Sequence, residues 1–264
     1  MNRIDEKLEA LKKSGEKAFV TYTTAGFPTI EKSKEIVKAQ EEAGVDIIEL
    51  GVPFSDPVAD GPTIQDASYE AILNGVTLEK VFELMKGLRE EGCQIPIVFM
   101  MYYNTIFHYG LEAFSGKCAE CGVDGLIVPD LPLEEQGELA EALAKVENAP
   151  YLLQLISPVS KDRVPKILED AKGFVYCISQ MGVTGSDAQF HKDIRKYLSS
   201  VKEISKVPVF MGFGIKKPED VKPLMDILDG VIVGSNLIKL LKKTDYSVEA
   251  VKEYVADFRK AINQ

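Results

Sequence analysis

Two acids differ from the others in type and spacing. Glu49 closes the apolar run Asp46-Ile47-Ile48-Glu49-Leu50, and Asp60 follows a Gly- and Pro-rich segment that can return it to the same rim. A carboxylate at the end of a buried strand is unfavourable unless it is neutralised or used. Two carboxyls in unlike surroundings can divide acid and base work between them. Desolvation should raise the pKa of Glu49 and suit it to proton transfer near neutral pH. Asp60, beside Gly61-Pro62 at a helix start, should ionise more readily. The competing reading of Glu49 is a buried acid held by an arginine or lysine. For Asp56 and Asp60 it is turn formation or helix capping. Asp130, in Val128-Pro129-Asp130-Leu131-Pro132, reads as a loop acid that caps the next helix.

A second constellation is glycine-rich. Gly212-Phe213-Gly214-Ile215 and Gly234-Ser235-Asn236 each follow an apolar run, and the second opens a helix. Glycine lets a backbone approach a ligand closely, and a helix start presents N–H groups to an anion. Phosphate binding is the favoured reading, with plain turn chemistry as the other. Gly182-Val183-Thr184-Gly185 has the spacing of a lid. Tyr22, Phe54, Met100, Tyr102, Tyr176 and Phe213 recur near predicted strand ends. Core packing explains most such residues; lining a flat slot for a planar ligand is the alternative. Cys118 and Cys121 form a C-x-x-C without a second pair, so they read as small packing residues rather than a redox or zinc site. With only His108 and His191, a metal site built on three histidines is excluded by count.

These residues need a scaffold, and the hydropathy pattern supplies one. Eight strand-like runs are predicted: Ala18–Thr23, Asp46–Leu50, Ile95–Met101, Gly125–Val128, Tyr151–Ile156, Phe174–Ile178, Val207–Met211 and Gly230–Val233. Amphipathic runs at Ile30–Ala43, Leu78–Glu90, Leu133–Lys145 and Pro218–Ile227 predict helices between them. Alternation of this kind gives parallel strands with right-handed crossovers, and eight units fit a (β/α)8 barrel. Further helices are expected at the N-terminus (Asp5–Lys12), after the second strand (Pro62–Leu73) and after the eighth (Val248–Ala261). Glu42-Ala43-Gly44-Val45-Asp46 recurs as Glu120-Cys121-Gly122-Val123-Asp124, a helix ending at glycine before a strand. No linker divides residues 1–264, so one domain is expected. The net charge of −10, from 31 basic and 41 acidic residues, argues against nucleic-acid or anionic-membrane binding. No apolar run nears the roughly 20 residues of a membrane span. The N-terminus lacks the apolar core of a signal peptide, so the cytoplasm is the expected location.

The stretch Ile48–Gly61 resembles a long, specific motif of the tryptophan synthase alpha chain family, and the resemblance continues over roughly residues 5–260. Thr24-Ala25-Gly26-Phe27-Pro28, Met100-Met101-Tyr102-Tyr103-Asn104 and the three glycine motifs are similar to that family's loops. The resemblance implies a (β/α)8 lyase that splits indole-3-glycerol phosphate into indole and glyceraldehyde 3-phosphate. It implies Glu49 as the principal acid–base group and Asp60 as the holder of the indole N–H. Thr184 in the lid would position Asp60, and Gly185, Gly214, Gly234 and Ser235 would hold the phosphate. Tyr22, Ile64, Met100, Tyr102, Ile127, Tyr176 and Phe213 would border the substrate. No metal or organic cofactor is implied in this chain. The implied partner is a β chain carrying pyridoxal phosphate, in an α2β2 assembly, with Asp56 and the Pro53–Ala59 loop facing it.

Some positions depart from the commonest family pattern. Gln180 stands where arginine is frequent, Lys217 where a serine often caps the next helix, Ser157 where alanine is usual and Thr105 where proline often follows Asn104. None removes a catalytic residue. Other readings are a free-standing lyase, a mainly regulatory subunit that activates a β chain, and a related phosphate-binding barrel isomerase.

Overall fold

The computed structural model describes residues 1–178, 187–212, 214–215 and 217–263. Its strands are β1 (Ala18–Thr24), β2 (Ile47–Gly51), β3 (Ile97–Met100), β4 (Gly125–Ile127), β5 (Tyr151–Leu152), β6 (Gln154–Ile156), β7 (Val175–Ile178), β8 (Val209–Gly212) and β9 (Gly230–Val233). All pairings are parallel, in the order β5-β4-β3-β2-β1-β9-β8-β7-β6. The predicted fifth strand is thus divided. Its first half pairs with β4 and its second with β7, with Leu153 between them donating its N–H to Leu126 O at 2.9 Å. That bend closes the sheet, and the eight predicted strand units form a (β/α)8 barrel.

The helices are α1 (Arg3–Ser14), α2 (Ile30–Glu42), α3 (Pro62–Leu73), α4 (Leu78–Glu90), α5 (Tyr103–Tyr109), α6 (Leu111–Cys121), α7 (Gly137–Ala144), α8 (Val164–Leu168), α9 (Asp187–Ile204), α10 (Ser235–Lys243) and α11 (Val248–Ile262). Side-chain caps start several of them: Asn2 accepts from Ile4 N, Thr29 from Lys32 N, Thr77 from Lys80 N and Ser247 from Ala250 N. The extra helices expected at the N-terminus and after the second and eighth strands are α1, α3 and α11. Two helix predictions are corrected. Pro218–Ile227 is a pair of 3-10 turns, Pro218–Asp220 and Lys222–Leu224, because Pro223 has no N–H to continue an α-helix. Leu133–Lys145 is a 3-10 turn, Leu133–Glu135, followed by α7 from Gly137. α5 was not predicted; Gly110 (φ 92) parts it from α6, whose end at Gly122 is the glycine stop read in the sequence. The third strand starts at Ile97 rather than Ile95, after Pro96, which has no ladder N–H.

Aromatic rings and missing side chains fill the barrel together. Phe174 stacks on Phe210 at 4.4 Å, and a Cβ on Gly230 would lie 2.7 Å from the Phe210 ring. At the N-terminal end, fully buried Ile4 of α1 plugs the barrel, 3.2 Å from where a Gly125 Cβ would stand.

The internal sequence echo now has a physical role. Gly44 and Gly122 take left-handed conformations (φ 91 and 71), and the following Asp46 and Asp124 turn their carboxyls into the barrel base. Asp46 Oδ2 accepts the Phe19 N–H at 2.9 Å, and Asp124 Oδ2 accepts the Ile97 N–H at 2.8 Å. Asp229 likewise takes the Val209 N–H at 2.7 Å. Each acid has a cation: Arg259 for Asp46, Arg89 and Arg3 for Asp124, Lys202 for Asp229.

Candidate active site

The opposite, C-terminal end of the barrel treats its acids differently. Glu49 lies on β2 and is paired in register with Tyr22 of β1 and Val98 of β3. It is 4% exposed. No ion pair or hydrogen bond to its carboxyl occurs among the described residues. Burial, and secondarily the charge of Asp60, push its pKa up to about 8. Among the described residues no arginine or lysine holds Glu49, whereas the acids held in that way lie at the base.

Asp60 is half-buried at the end of the loop that leaves β2. That loop is fastened at three points. Ser68 of α3 accepts from Phe54 N at 2.8 Å and donates to Phe54 O at 3.2 Å. Gln65 Nε2 donates to Asp60 O at 2.8 Å. The Ala59 N–H donates to Tyr102 Oη at 3.0 Å, and the Tyr102 ring stacks on Phe54 at 4.9 Å. The Tyr102 hydroxyl also hydrogen-bonds the Asp60 carboxyl. Burial raises the Asp60 pKa, and this hydrogen bond opposes the rise. Support for the ionised form of Asp60 thus comes from Tyr102 rather than from an exposed helix start. Tyr102 itself is only 2% exposed and lies beneath the loop. Ser68 and Gln65 were missed in the sequence, although their positions on the helix directly after the loop were a usable clue.

Tyr22 and Tyr176 reach the same site from β1 and β7. Burial foremost raises both phenols, and the charges of Glu49 and Asp60 add to the effect. Each ring occupies space left by a glycine on the next strand. A Cβ on Gly51 would stand 2.0 Å from Tyr22 Oη, and one on Gly212 would stand 2.3 Å from Tyr176 Oη. The role of Gly51 was not foreseen. Gly51→Ala should therefore displace the Tyr22 ring. We expect a loss of about 1–3 kcal/mol in stability and roughly a tenfold fall in kcat/KM, measured by thermal unfolding and steady-state kinetics. Unchanged kinetics would contradict this assignment.

Met100 of β3 is in register with both Gly51 and Ile127, so all three share one level of the rim. Gly234 precedes α10, and a Cβ there would lie 3.2 Å from Tyr22 Cβ and 3.8 Å from Ile64 Cδ1. The helix start that carries Ser235 therefore borders Tyr22 and half-buried Ile64. Gly214 is left-handed (φ 78) and exposed. Lys217, where a capping serine was missed, has its N–H accepted by Asp220 Oδ2 at 3.0 Å. Ser157 N donates to Ser160 Oγ at 3.1 Å. Asp56 is exposed, with Ser55 Oγ donating to it at 2.6 Å. Asp130 caps α5 rather than the helix that follows it, accepting the Tyr103 N–H at 2.9 Å. Thr184, Gly185, Phe213, Gln180 and the rest of the 182–185 lid lie outside the described residues.

A cavity of about 1230 Å³ lies at the barrel base, bordered by Arg3, Asp124, Gln154 and Lys172. Asp124 is already committed there to Arg3, Arg89 and a backbone N–H, so the base is built for stability. Among the described residues, the mouth combines carboxyls that lack a cation with phenols and a helix start. Cys118 and Cys121 are free and buried, as packing residues would be. No group of three or more His, Cys, Asp or Glu suited to a metal ion occurs among the described residues.

Fold and site together define an acid–base enzyme on a (β/α)8 barrel. The sequence pattern of the tryptophan synthase alpha chain matches residues 8–263. The chain is 61% identical to the tryptophan synthase alpha chain of Lachnospira eligens over 263 residues, covering all of both chains. It is 44% identical to that of Caldanaerobacter subterraneus, covering 99% of this chain and all of the relative. The crystal structure of tryptophan synthase subunit alpha from Legionella pneumophila superposes with a TM-score of 0.89 at 33% identity, covering 99% of this chain and 98% of that one. The chain belongs to the tryptophan synthase alpha chain family. It is a lyase of tryptophan biosynthesis that cleaves indole-3-glycerol phosphate. The family needs no cofactor in this chain and pairs with a β chain that holds pyridoxal phosphate. The readings as a free-standing lyase or a regulatory subunit are not favoured. Among the described residues, no helix is long and apolar enough to cross a membrane.

Proposed function

We propose that Glu49 and Asp60 divide the acid–base work of indole-3-glycerol phosphate cleavage. One observation carries this reading: the buried acids at the barrel base have cations, whereas Glu49 at the mouth has none among the described residues. With a pKa of about 8, Glu49 is mostly a carboxylic acid at neutral pH. It donates its proton to C3 of the indole ring, turning the ring into a competent leaving group. The resulting carboxylate accepts the proton of the glycerol hydroxyl as the carbon–carbon bond breaks, so Glu49 ends the cycle protonated. Asp60 accepts a hydrogen bond from the indole N–H and stabilises the positive charge that develops on the ring.

Gly214, Gly234 and Ser235, with Gly185, hold the phosphate through main-chain N–H groups. Tyr22, Ile64, Met100, Ile127, Tyr176 and Phe213 border the ring, and Thr184 positions Asp60 from the lid. The exposed loop around Asp56 faces the β chain in an α2β2 assembly. The chain acts as one domain, and a single cluster of buried apolar residues from Ile4 to Ile262 supports this. Its four cysteines are free thiols, which suits the reducing cytoplasm.

The test is indole release by the purified chain, with and without its β partner. Asp60→Asn should lower kcat by about two to three orders of magnitude while the circular dichroism spectrum is retained. A kcat within twofold of the parent would sink the role given to Asp60.

A further inference from the structure

Tyr102 stands at a helix start, yet its side chain serves elsewhere. It is the residue from which α5 departs, with extended backbone (φ −88, ψ 142). A helix start leaves N–H groups without partners, and the side chain at this position commonly accepts one of them. Asn2, Thr29, Thr77 and Ser247 do so for α1, α2, α4 and α11. The Tyr102 side chain does not. It turns inward, stacks on Phe54 at 4.9 Å, and accepts the Ala59 N–H at 3.0 Å through its hydroxyl. Ala59 is the residue before Asp60.

The missing cap comes from another loop. Asp130 Oδ1 accepts the Tyr103 N–H at 2.9 Å, 27 positions away in the chain. That carboxyl is firmly aimed. The Leu131 N–H donates to Val128 O at 3.2 Å, so Pro129 and Asp130 form the centre of a tight turn, and Leu131 is buried beneath it. A carboxylate at this point also meets the positive end of the helix. Asp130 itself is exposed, so the bond adds little to global stability. What it fixes is the direction in which the backbone leaves β3, and with it the Tyr102 side chain. The loops after β2, β3 and β4 are thereby joined into one unit by two hydrogen bonds and one ring stack.

We infer that Asp130 is a positioning residue of the lyase reaction: capping α5 from the loop after β4, it holds Tyr102 where the hydroxyl pins Ala59, and so sets the Asp60 carboxyl against the substrate ring. The inference rests on the acid–base roles proposed above. It gives a task in the reaction to an acid that touches neither Glu49 nor Asp60.

The expected signature follows from what Asp60 does. It stabilises charge that develops on the ring in the transition state, so its misplacement lowers the rate more than the binding of substrate. A small shift of such a group is enough to be measured.

The experiment is indole release from indole-3-glycerol phosphate by the full chain, alone and with its β partner. Asp130→Ala removes the cap; we expect kcat to fall about five- to tenfold while KM stays within about twofold, by the same factor in both assays. Asp130→Asn keeps a capping oxygen and should hold kcat within about twofold of the parent. Tyr102→Phe removes the hydroxyl that grips Ala59. In that background Asp130→Ala should lower kcat by less than about twofold more, because the cap has no hydroxyl left to aim. Asp130→Ala with parental kcat overturns the inference, as does Asp130→Asn behaving like Asp130→Ala. Losses that multiply in full in the double variant also overturn it, since a general support of the fold would act in that way. A loss confined to the assay with the β partner overturns it too, and would place Asp130 in that interface. If Asp60→Asn is impaired while Asp130→Ala is not, the error is confined to Asp130. If Asp60→Asn is unimpaired, the underlying reading fails and the inference falls with it.

Discussion

Glu49→Gln should leave a folded barrel that releases indole at least about a hundredfold more slowly. The amide keeps the shape of the side chain and removes the transferable proton. The same substitution should make the protein more stable at alkaline pH. Burial raises the Glu49 pKa from an ordinary carboxyl value to about 8. A group whose folded pKa lies above its unfolded value contributes stability that is complete below the unfolded pKa and is lost as pH rises through the folded one. The parent should therefore lose stability relative to Glu49→Gln between about pH 5 and pH 9. The upper bound on that difference is about 5 kcal/mol, at about 1.4 kcal/mol per pKa unit. Thermal unfolding of both proteins across this range is the measurement. Parallel curves, or full activity in Glu49→Gln, would contradict the assignment of this carboxyl as the buried acid. The carboxyl proposed as the catalytic acid is thus placed where the fold would be more stable without it.

The second large effect lies at the other end of the barrel. Asp124→Ala removes one carboxylate and strands three partners: Arg89 at 2.7 Å, Arg3 at 3.0 Å and the Ile97 N–H at 2.8 Å. The Arg89 side chain is 12% exposed and Asp124 is 3% exposed, so an uncompensated guanidinium would stay largely out of water. Breaking such a pair from one side costs about 3–5 kcal/mol. Urea unfolding should show this loss, while kcat of the folded enzyme stays within about twofold because Asp124 lies far from the reacting atoms. Removing Arg89 as well, as Asp124→Ala/Arg89→Leu, should recover part of the stability. A single-variant loss under about 1 kcal/mol would mean that water solvates the guanidinium after all.

These two variants set the two kinds of buried acid side by side. Glu49 lies within β2 and Asp124 directly before β4, both have apolar neighbours, and both have raised pKa values through burial. In the linear sequence they look alike. Glu49 in Ile47-Ile48-Glu49-Leu50 and Asp124 in Gly122-Val123-Asp124-Gly125 are each one acid beside an apolar run. Their fates differ because Arg89 comes from α4 and Arg3 from α1, more than thirty positions away in either case. Local pattern carries no record of such partners.

The alternation of strand and helix, hence parallel strands and the barrel, was legible in the chain, because apolar periodicity and glycine stops are local properties. The sequence also showed that Glu49 and Asp60 flank one loop, since that follows from their spacing. It misjudged Pro218–Ile227, where a helical apolar pattern is overruled by Pro223, and the single fifth strand, which bends at Leu153 so that the sheet can close. Tertiary packing set which acids meet a cation and which, among the described residues, do not. It alone laid Tyr22 over Gly51 and Tyr176 over Gly212, and fastened Asp60 through Tyr102. Those outcomes depend on distances between strands that are remote in the chain, and a carboxyl's pKa follows from the groups packed around it in space.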